Sequence, residues 1–457
     1  MIRLATKEDF NEVKQIIEDG KEYHLKNNIN QWFETYPDDN LILEDLNSNQ
    51  CFVYEENNII QGVMSLTIGK DDNYDNVDGI FSVDNDNYCS IHRLGVKKEY
   101  YGKGIAKQLF DYAYLFAFNH HLDALRIDTS DENKVMTNLI VKKGYQRIGK
   151  FSLDDGYNGV AYELKLKKGL IITNAFSLSD SMKHSLERYL EEFKKLNVII
   201  DHKTNKELLV YLDYDKLKTN LKYYDFIVYL DKDRHISKML EKCGFKLFNK
   251  GDAIEVCDDK MLTHIALANN GILMPKTISS PLYYAGEDDG KFLTNVINEL
   301  SFPIIVKEVY GSFGKQVYKI DNIERLKKIR EKLQHIPHIY QEYIETSKGR
   351  DIRVILVNKK VVACMERISK NDFRSNIELG AKGYPLELNI KIKEIAEKIA
   401  TILDLDYCGL DLLYGKDSQY ILCEVNSNAM FNEIEKVSKV NVCKIYCEYI
   451  YKTIYGG

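Results

Sequence analysis

The sequence predicts a mixed α/β (α+β) protein assembled from independently folding parts. Three observations carry this. Short apolar, β-branched runs such as Ile304-Ile305-Val306 alternate with helical patterns such as the one over 181–195. A seam lies at 164–169. Val160-Ala161-Tyr162-Glu163-Leu164 reads as a closing strand, a charged Lys165-Leu166-Lys167-Lys168-Gly169 follows, and Leu170-Ile171-Ile172-Thr173-Asn174 opens a new buried strand. Finally, five of the six prolines (Pro275, Pro281, Pro303, Pro337 and Pro385) fall after the seam. The expected parts are 1–166, 169–256 and 257–457.

Bulk properties fit this organisation. The 457 residues suffice for two or three cores, and 44% hydrophobic with 29% charged residues is an ordinary globular balance. A net charge of −6 without a basic tail argues against nucleic acid as a partner. No apolar run approaches the ~20 residues that span a bilayer, so no membrane is expected either. Met1-Ile2-Arg3-Leu4-Ala5-Thr6 lacks the apolar core of an export signal, which with scattered cysteines points to a cytoplasmic setting. Of the nine cysteines only Cys443 and Cys447 are close, at i, i+4 on an expected C-terminal helix. They read as small buried hydrophobes, since no further Cys or His completes a metal site.

In the first part, Tyr88-Cys89-Ser90-Ile91-His92-Arg93-Leu94-Gly95-Val96 reads as a strand. It leads into Gly102-Lys103-Gly104 and a helix carrying Ile105, Leu109, Tyr112, Ala113 and Phe116 on one face. Strand, glycine turn and helix start together make an anion site, because free backbone N–H groups converge there and glycine lets a phosphate come close. This segment, followed by Leu125-Arg126-Ile127-Asp128-Thr129 and Lys143-Gly144-Tyr145, resembles motifs A and B of the GNAT acetyltransferase superfamily over residues 1–166. The resemblance implies an acetyl-CoA site on Leu94, Val96, Gly102, Lys103, Gly104 and Ile105, with Asn133 on the pantetheine arm. Asn133 reads equally well as the N-cap of the next helix. Two departures matter. Glu99 stands where the family has Gln or Arg, and Ile140 stands where many members carry a tyrosine acid. His92, on the strand expected to splay beside the thioester, is the candidate base, because histidine titrates near ~6.5; a strand histidine is more often structural. Tyr145 reads as core.

The middle part opens with the strand at 170–174, then the helix at 181–195 and strands near 198–200 and 226–230. In the third part, Asp258-Asp259-Lys260 opens a helix over 261–270. The aspartates suit a helix start; Lys260 does not, unless a phosphate lies nearby. Pro303-Ile304-Ile305-Val306-Lys307 is a strand ending in lysine, followed by Gly311-Ser312-Phe313-Gly314-Lys315. That loop lacks the spacing and the Ser/Thr of a Walker loop and reads as a β-hairpin flap over phosphates. Asp411 sits in the apolar Cys408-Gly409-Leu410-Asp411-Leu412-Leu413, and Glu424 and Asn426 alternate after another apolar strand, so both face one side. Three hard oxygen donors there suit Mg²⁺ or Mn²⁺ bridging nucleotide phosphates.

Gln341-Glu342-Tyr343-Ile344, Gly349-Arg350-Asp351-Ile352-Arg353, Asp372-Phe373-Arg374-Ser375-Asn376 and Glu424-Val425-Asn426 follow in order. This series resembles the RimK-like branch of the ATP-grasp superfamily over 169–450. It implies a pre-ATP-grasp α/β subdomain and two α+β subdomains clamping ATP. Lys260, Lys307, Gly311, Ser312 and Gly314 would contact phosphates; Glu342, Tyr343 and Ile344 would hold adenine; Asp351 would take the ribose. Arg353 and Arg374, helped by Asn376, would stabilise the transferring phosphoryl group, and Asp411, Glu424 and Asn426 would hold the metal. Ile377-Glu378-Leu379-Gly380-Ala381-Lys382-Gly383 and Ser427-Asn428-Ala429-Met430-Phe431 depart from the family's namesake, so the acceptor is expected to differ. The expectation is a bifunctional enzyme: an ATP-dependent carboxylate–amine ligase with an acetyl-CoA-dependent acetyltransferase acting on an amino acid or short peptide. The rivals are a protein-modifying ligase and a GNAT part that only binds acetyl-CoA. Homo-oligomerisation is left open.

Overall fold

The computed structural model describes residues 1–153, 156–177, 179–285, 290–311 and 314–456, which divide into two compact units, Met1–Lys168 and Gly169–Gly457.

The first unit is built on seven strands: β1 (Ile2–Leu4), β2 (Cys51–Glu56), β3 (Ile59–Ile68), β4 (Tyr88–Val96), β5 (Ala124–Ser130), β6 (Gln146–Ser152) and β7 (Asn158–Lys165). They form one sheet in the order β1-β2-β3-β4-β5-β7-β6. Every neighbour pair is antiparallel except β4 and β5. Helices α1 (Phe10–Lys26), α2 (Asp39–Asn47), α3 (Ile105–Asn119) and α4 (Lys134–Lys142) cover it. One face buries Val13, Ile16 and Ile17 of α1 and Ile42 and Leu46 of α2 against Val53 and Val63. Gly62 makes room for α3, since a Cβ there would stand 2.7 Å from Ile105. The parallel pairing of β4 with β5 stops at Ile91 opposite Ile127, so the two strands part from His92 and Asp128 onward. That fork shapes the unit's cleft.

The second unit starts with β8 (Lys168–Thr173), α5 (Asp180–Lys195), β9 (Ile199–Thr204), a hairpin of β10 (Val210–Asp213) and β11 (Lys216–Thr219), β12 (Phe226–Leu230), α6 (Arg234–Lys242) and β13 (Leu247–Phe248). Its sheet runs β13-β12-β8-β9. After α7 (Gly251–Asp258) and α8 (Lys260–Leu267) come β14 (Thr277–Ser279), α9 (Lys291–Leu300), β15 (Ile304–Glu308), β16 (Val317–Ile320), α10 (Ile323–Leu333) and β17 (His338–Glu342). These strands form an antiparallel sheet, β14-β17-β15-β16. Last are β18 (Arg350–Val357), β19 (Lys360–Ile368), β20 (Lys382–Pro385), α11 (Ile390–Ile402), β21 (Tyr407–Tyr414), β22 (Tyr420–Asn426), α12 (Asn432–Ser438) and α13 (Val442–Tyr455). Their sheet is β20-β19-β18-β21-β22, antiparallel throughout. One core joins the first and last sheets of this unit: Ile171, Phe226 and Phe248 pack with Ile355, Met365 and Tyr446. Cys443 and Cys447 are fully buried in it, the place expected of small hydrophobes. The mixed α/β class expected from the sequence is the one observed. No described helix is long and apolar enough to cross a membrane.

Candidate functional site

In the second unit, strand register assembles the charges. β18 sets Asp351 opposite Arg367 on β19 and Arg353 opposite Asp411 on β21, while Asp411 in turn faces Glu424 on β22. Residues two apart share a face of a strand, so these side chains converge on one surface. Arg367 donates from Nε and Nη2 to Asp351 at 2.7 and 2.5 Å and lies 3.0 Å from Asp411. Arg353 holds both oxygens of Asp411, at 2.5 and 3.0 Å. Burial alone would push Asp411 upward, but the two guanidinium groups hold its carboxyl below the usual range.

Around this chain of charges lies a cavity of ≈ 110 Å³. It is lined by Lys260, Lys307, Gly311, Gly314, Glu342, Tyr343, Ile344, Asp351, Arg374, Asn376, Asp411 and Glu424, all singled out in the sequence. A neighbouring cavity of ≈ 690 Å³ adds Arg353 and Asn426 and shares Arg367, Asn376, Asp411 and Glu424. Ser312 lies outside the described residues. Lys260 is the first residue of α8, donating to the carbonyls of Val309 and Gly311 at 3.3 and 3.1 Å, with Glu424 at 3.7 Å. Burial lowers its ammonium below the normal lysine range, an unfavourable state that an incoming phosphate relieves. Lys307 contacts Cys423 Sγ at 3.6 Å. The flap expected at 311–315 is the connection of the antiparallel pair β15 and β16. Its Gly314 has φ +69°, and a Cβ there would stand 2.8 Å from Asn376 Oδ1. Arg374 reaches across to the carbonyl of Gly314 and is held by Asp372 at 2.7 Å. At the end of β17, Glu342 accepts from the Lys276 N–H at 2.8 Å, and the Lys319 ammonium sits 4.2 Å from the Tyr343 ring.

Among the described residues no three His, Cys, Asp or Glu side chains converge as a metal cluster. The donor set is instead two carboxylates and one amide, Asp411, Glu424 and Asn426, on adjacent strands. Hard oxygens of this kind, too few to enclose an ion alone, fit a divalent cation that takes its remaining ligands from phosphates and water.

In the first unit, Gly102 and Gly104 have φ of +76° and +81°, with open space where a Cβ would be. Gly104 is the N-cap of α3, so the backbone cradle is built by residues free to take the left-handed region. Lys103 lies over the Tyr100 ring at 4.5 Å, Ile105 begins the helix, and Glu99 is exposed to solvent. Beyond Ile91, β4 has no strand partner on its β5 side, which leaves Leu94 and Val96 along an open edge. Asn133 caps α4 through Met136 N and also donates to Gln31 at 3.3 Å, so the capping role is present in the geometry. Tyr145 and Ile140 are both core, at 4% and 0% exposure. His92 lines a third cavity, of ≈ 290 Å³, and pairs with Asp71 Oδ2 at 2.8 Å.

Sequence reading did not single out Arg367, Asp71 or Asp128. A charged residue inside an apolar strand was the available signal for Arg367 and Asp128; Asp71, in the loop after β3, offered none.

A RimK-like ATP-grasp domain model matches residues 257–450, and an Acetyltransferase (GNAT) family model matches 13–145. An uncharacterized protein of Mycoplasma genitalium is 33% identical over 246 residues, 52% of this chain and 85% of that protein. Human N-acetylaspartylglutamate synthase A is 33% identical over 221 residues, 48% of this chain; the match spans only 56% of the human protein. Among solved structures, the VanG D-Ala:D-Ser ligase of Enterococcus faecalis superposes with a TM-score of 0.52 at 15% identity, over 62% of this chain and 98% of that one, a likeness of fold.

Proposed function

Because the chain belongs to the RimK-like ATP-grasp ligases and carries a GNAT-family domain ahead of the ligase, we propose that it makes an amide from a carboxylate and an amine at the expense of ATP, on an N-acetylated substrate of its own making. The observation that carries this is the pair of abutting cavities in the second unit. Four cationic side chains (Lys260, Lys307, Arg353, Arg374) and three oxygen donors (Asp411, Glu424, Asn426) meet there. The smaller cavity takes the nucleotide, with adenine at Glu342, Tyr343 and Ile344 and the ribose near Asp351. The larger takes the carboxylate and the amine.

Lys260 and Lys307 neutralise and orient the phosphates, and the flap at Gly311 and Gly314 closes over them. Closure matters because unit charges ~4 Å apart attract by about 1 kcal/mol in water but about 4 kcal/mol at an effective dielectric of ~20. Mg²⁺ or Mn²⁺ on Asp411, Glu424 and Asn426 would withdraw charge from the phosphate oxygens. Arg353 and Arg374, with Asn376, steady the phosphoryl group as it passes to the substrate carboxylate. The amine then attacks the acyl phosphate, and phosphate leaves.

In the first unit the backbone cradle at Gly102, Lys103, Gly104 and Ile105 takes the acetyl-CoA pyrophosphate. Leu94, Val96 and Asn133 take its pantetheine arm, and His92 serves as base for an amino acid amine. Acetylating the amine first removes the group that would let one substrate polymerise with itself. The human relative's name, N-acetylaspartylglutamate synthase A, is consistent with an N-acetylated product. The buried Ile140 in place of the usual tyrosine favours one other reading, in which the GNAT domain binds acetyl-CoA without turning it over.

The test is to incubate the protein with ATP, Mg²⁺, acetyl-CoA and pooled amino acids and identify the product by mass. An N-acetyl dipeptide with ADP and free thiol is expected. ADP without free thiol would favour the silent GNAT domain, and a product retained on a macromolecule would favour a protein-modifying ligase. No amine-dependent ADP would overturn the ligase reading.

A further inference from the structure

The fork in the first unit's sheet holds a carboxylate that cofactor binding does not use. His92 and Asp128 are the first residues beyond the last β4–β5 pair, so their side chains leave neighbouring strands where those strands part, and both line the ≈ 290 Å³ cleft. Asp128 accepts from two phenols, Tyr74 at 3.2 Å and Tyr157 at 2.8 Å. Among the described residues no ion pair to it is present, and the His92 imidazole favours its charged form from longer range. The cleft's own cations are already matched. Arg93 is held by Asp45 at 2.5 and 2.8 Å, and His92 by Asp71 at 2.8 Å. Three carboxylates thus face one guanidinium and one imidazole, with His24 and Tyr36 as the other titratable groups on the lining. Asp128 is the carboxylate of the three that has no ion pair among the described residues.

Its opposite polarity is also present. Gln31 Oε1 accepts from Thr129 at 3.0 Å and from Asn133 at 3.3 Å, which orients the amide so that its Nε2 is the donor left for a ligand. Gln31 and Arg93 both line the cleft. Its volume lies just under the ~300–1,000 Å³ typical of small-molecule sites.

We propose that this cleft is the acetyl-acceptor site, that Asp128 receives the ammonium group of a free zwitterionic amino acid whose carboxylate lies toward Arg93 and Gln31, and that Asp71 positions His92 beside that ammonium. The proposal rests on the acetyltransferase reading of the first unit and narrows its substrate. Burial raises the Asp128 carboxyl above its usual range, and an ammonium partner removes that penalty. Burial acts the same way on Asp71, yet its hydrogen bond with the His92 imidazole holds that carboxyl low. In the reaction, neutral His92 takes one proton from the ammonium. The freed lone pair attacks the thioester carbon, and the C–N bond forms as the C–S bond breaks. The thiolate leaves with its electron pair and receives the second amine proton. The proton on His92 passes to solvent, so amide, thiol and one H⁺ account for all atoms.

The experiment uses the full chain without ATP: calorimetric binding of each of the twenty L-amino acids in the presence of CoA, beside thiol release from acetyl-CoA. At least one amino acid is expected to bind and be acetylated. Its α-hydroxy acid and its methyl ester should each compete at least ~10-fold more weakly, which needs no variant. Asp128→Asn, and Tyr157→Phe more mildly, should raise KM for the amine, by roughly 30-fold or more for the former, with KM for acetyl-CoA unchanged. Asp71→Asn should lower kcat, leave KM for the amine near wild type and move the acid limb of the pH–rate profile to lower pH. Acetyl transfer indifferent to Asp128→Asn, or a hydroxy acid that competes equally, overturns the site while leaving the acetyltransferase reading intact. Binding that needs Asp128 but yields no thiol keeps the site and overturns that reading. Neither binding nor transfer overturns both.

Discussion

Arg126 in the first unit and Arg367 in the second are each buried against a carboxylate, and the two serve different ends. Arg126 of the first unit donates to Glu163 at 3.2 Å and to the carbonyl of Val83 at 2.6 Å, between the rings of Phe81 and Tyr88 at 3.7 Å each. It lines none of the three cavities. Arg367 of the second unit meets two carboxylates, Asp351 and Asp411, and lines both ligase cavities. A charge enclosed by rings and backbone is an anchor with nothing left to trade. A charge whose partners face open space can exchange a carboxylate for a phosphate at modest cost, because the exchange keeps every charge paired. Burial alone therefore does not mark function; what lies on the far side of the pair does.

The strongest way to break this contrast is at the cavity's other end. Glu424→Ala removes the oxygen donor opposite Asp411 and is expected to reduce amine-dependent ADP release by ~10³-fold or more, while thiol release from acetyl-CoA is unchanged. Equal losses in both assays would mean the substitution acts through folding. Next in size are Arg126→Met and Arg367→Met. Each leaves a buried carboxylate without its arginine and should cost about 3–5 kcal/mol of stability by chemical denaturation. Only Arg367→Met should also depress ADP release in protein that remains folded, by ~10²-fold. If Arg126→Met does so equally, the distinction between anchor and exchangeable pair fails.

How much of this was readable from the chain differs between the sites for a physical reason. The cradle proposed for acetyl-CoA depends on backbone conformation, and Gly102 and Gly104 advertise it because few other residues tolerate their positive φ. The edge proposed to hold the metal was legible as a polar face because period-two alternation puts Glu424 and Asn426 on one side after an apolar strand. Arg367 was not, since its role arises from the register of β18 against β19, a pairing sixteen residues apart that no local pattern fixes. Asp128 was hidden for a related reason: it looks like any polar residue on a half-buried strand until the end of the β4–β5 pairing shows it standing at a fork. The loss of the usual tyrosine at Ile140 was visible in sequence. The pairing of His92 with Asp71 was not, because Asp71 lies in the loop after β3, far from His92 along the chain.

The smallest effect compares the two units on equal terms. His24 on α1 and His264 on α8 are each buried to 7% exposure, and burial lowers both to about 4. The unfolded chain takes up those protons near ~6.5 while the folded chain refuses them until about 4. Their contribution is therefore complete above ~6.5 and is lost as pH falls toward 4, on the order of 2 kcal/mol each by pH ~5. Asp9, held down to about 2 by Arg3, releases its share only at lower pH, so the windows separate. Thermal melts of His24→Gln and His264→Gln between pH 7 and 5 should each show a shallower decline than wild type. The two should then diverge with ligand. Lys307 helps depress His264 but not His24, so a non-hydrolysable ATP analogue with Mg²⁺, by neutralising Lys307, should flatten the decline that depends on His264 and leave the His24 component as it was. Equal flattening of both would mean that nucleotide acts through global stabilisation rather than through the lysine beside His264.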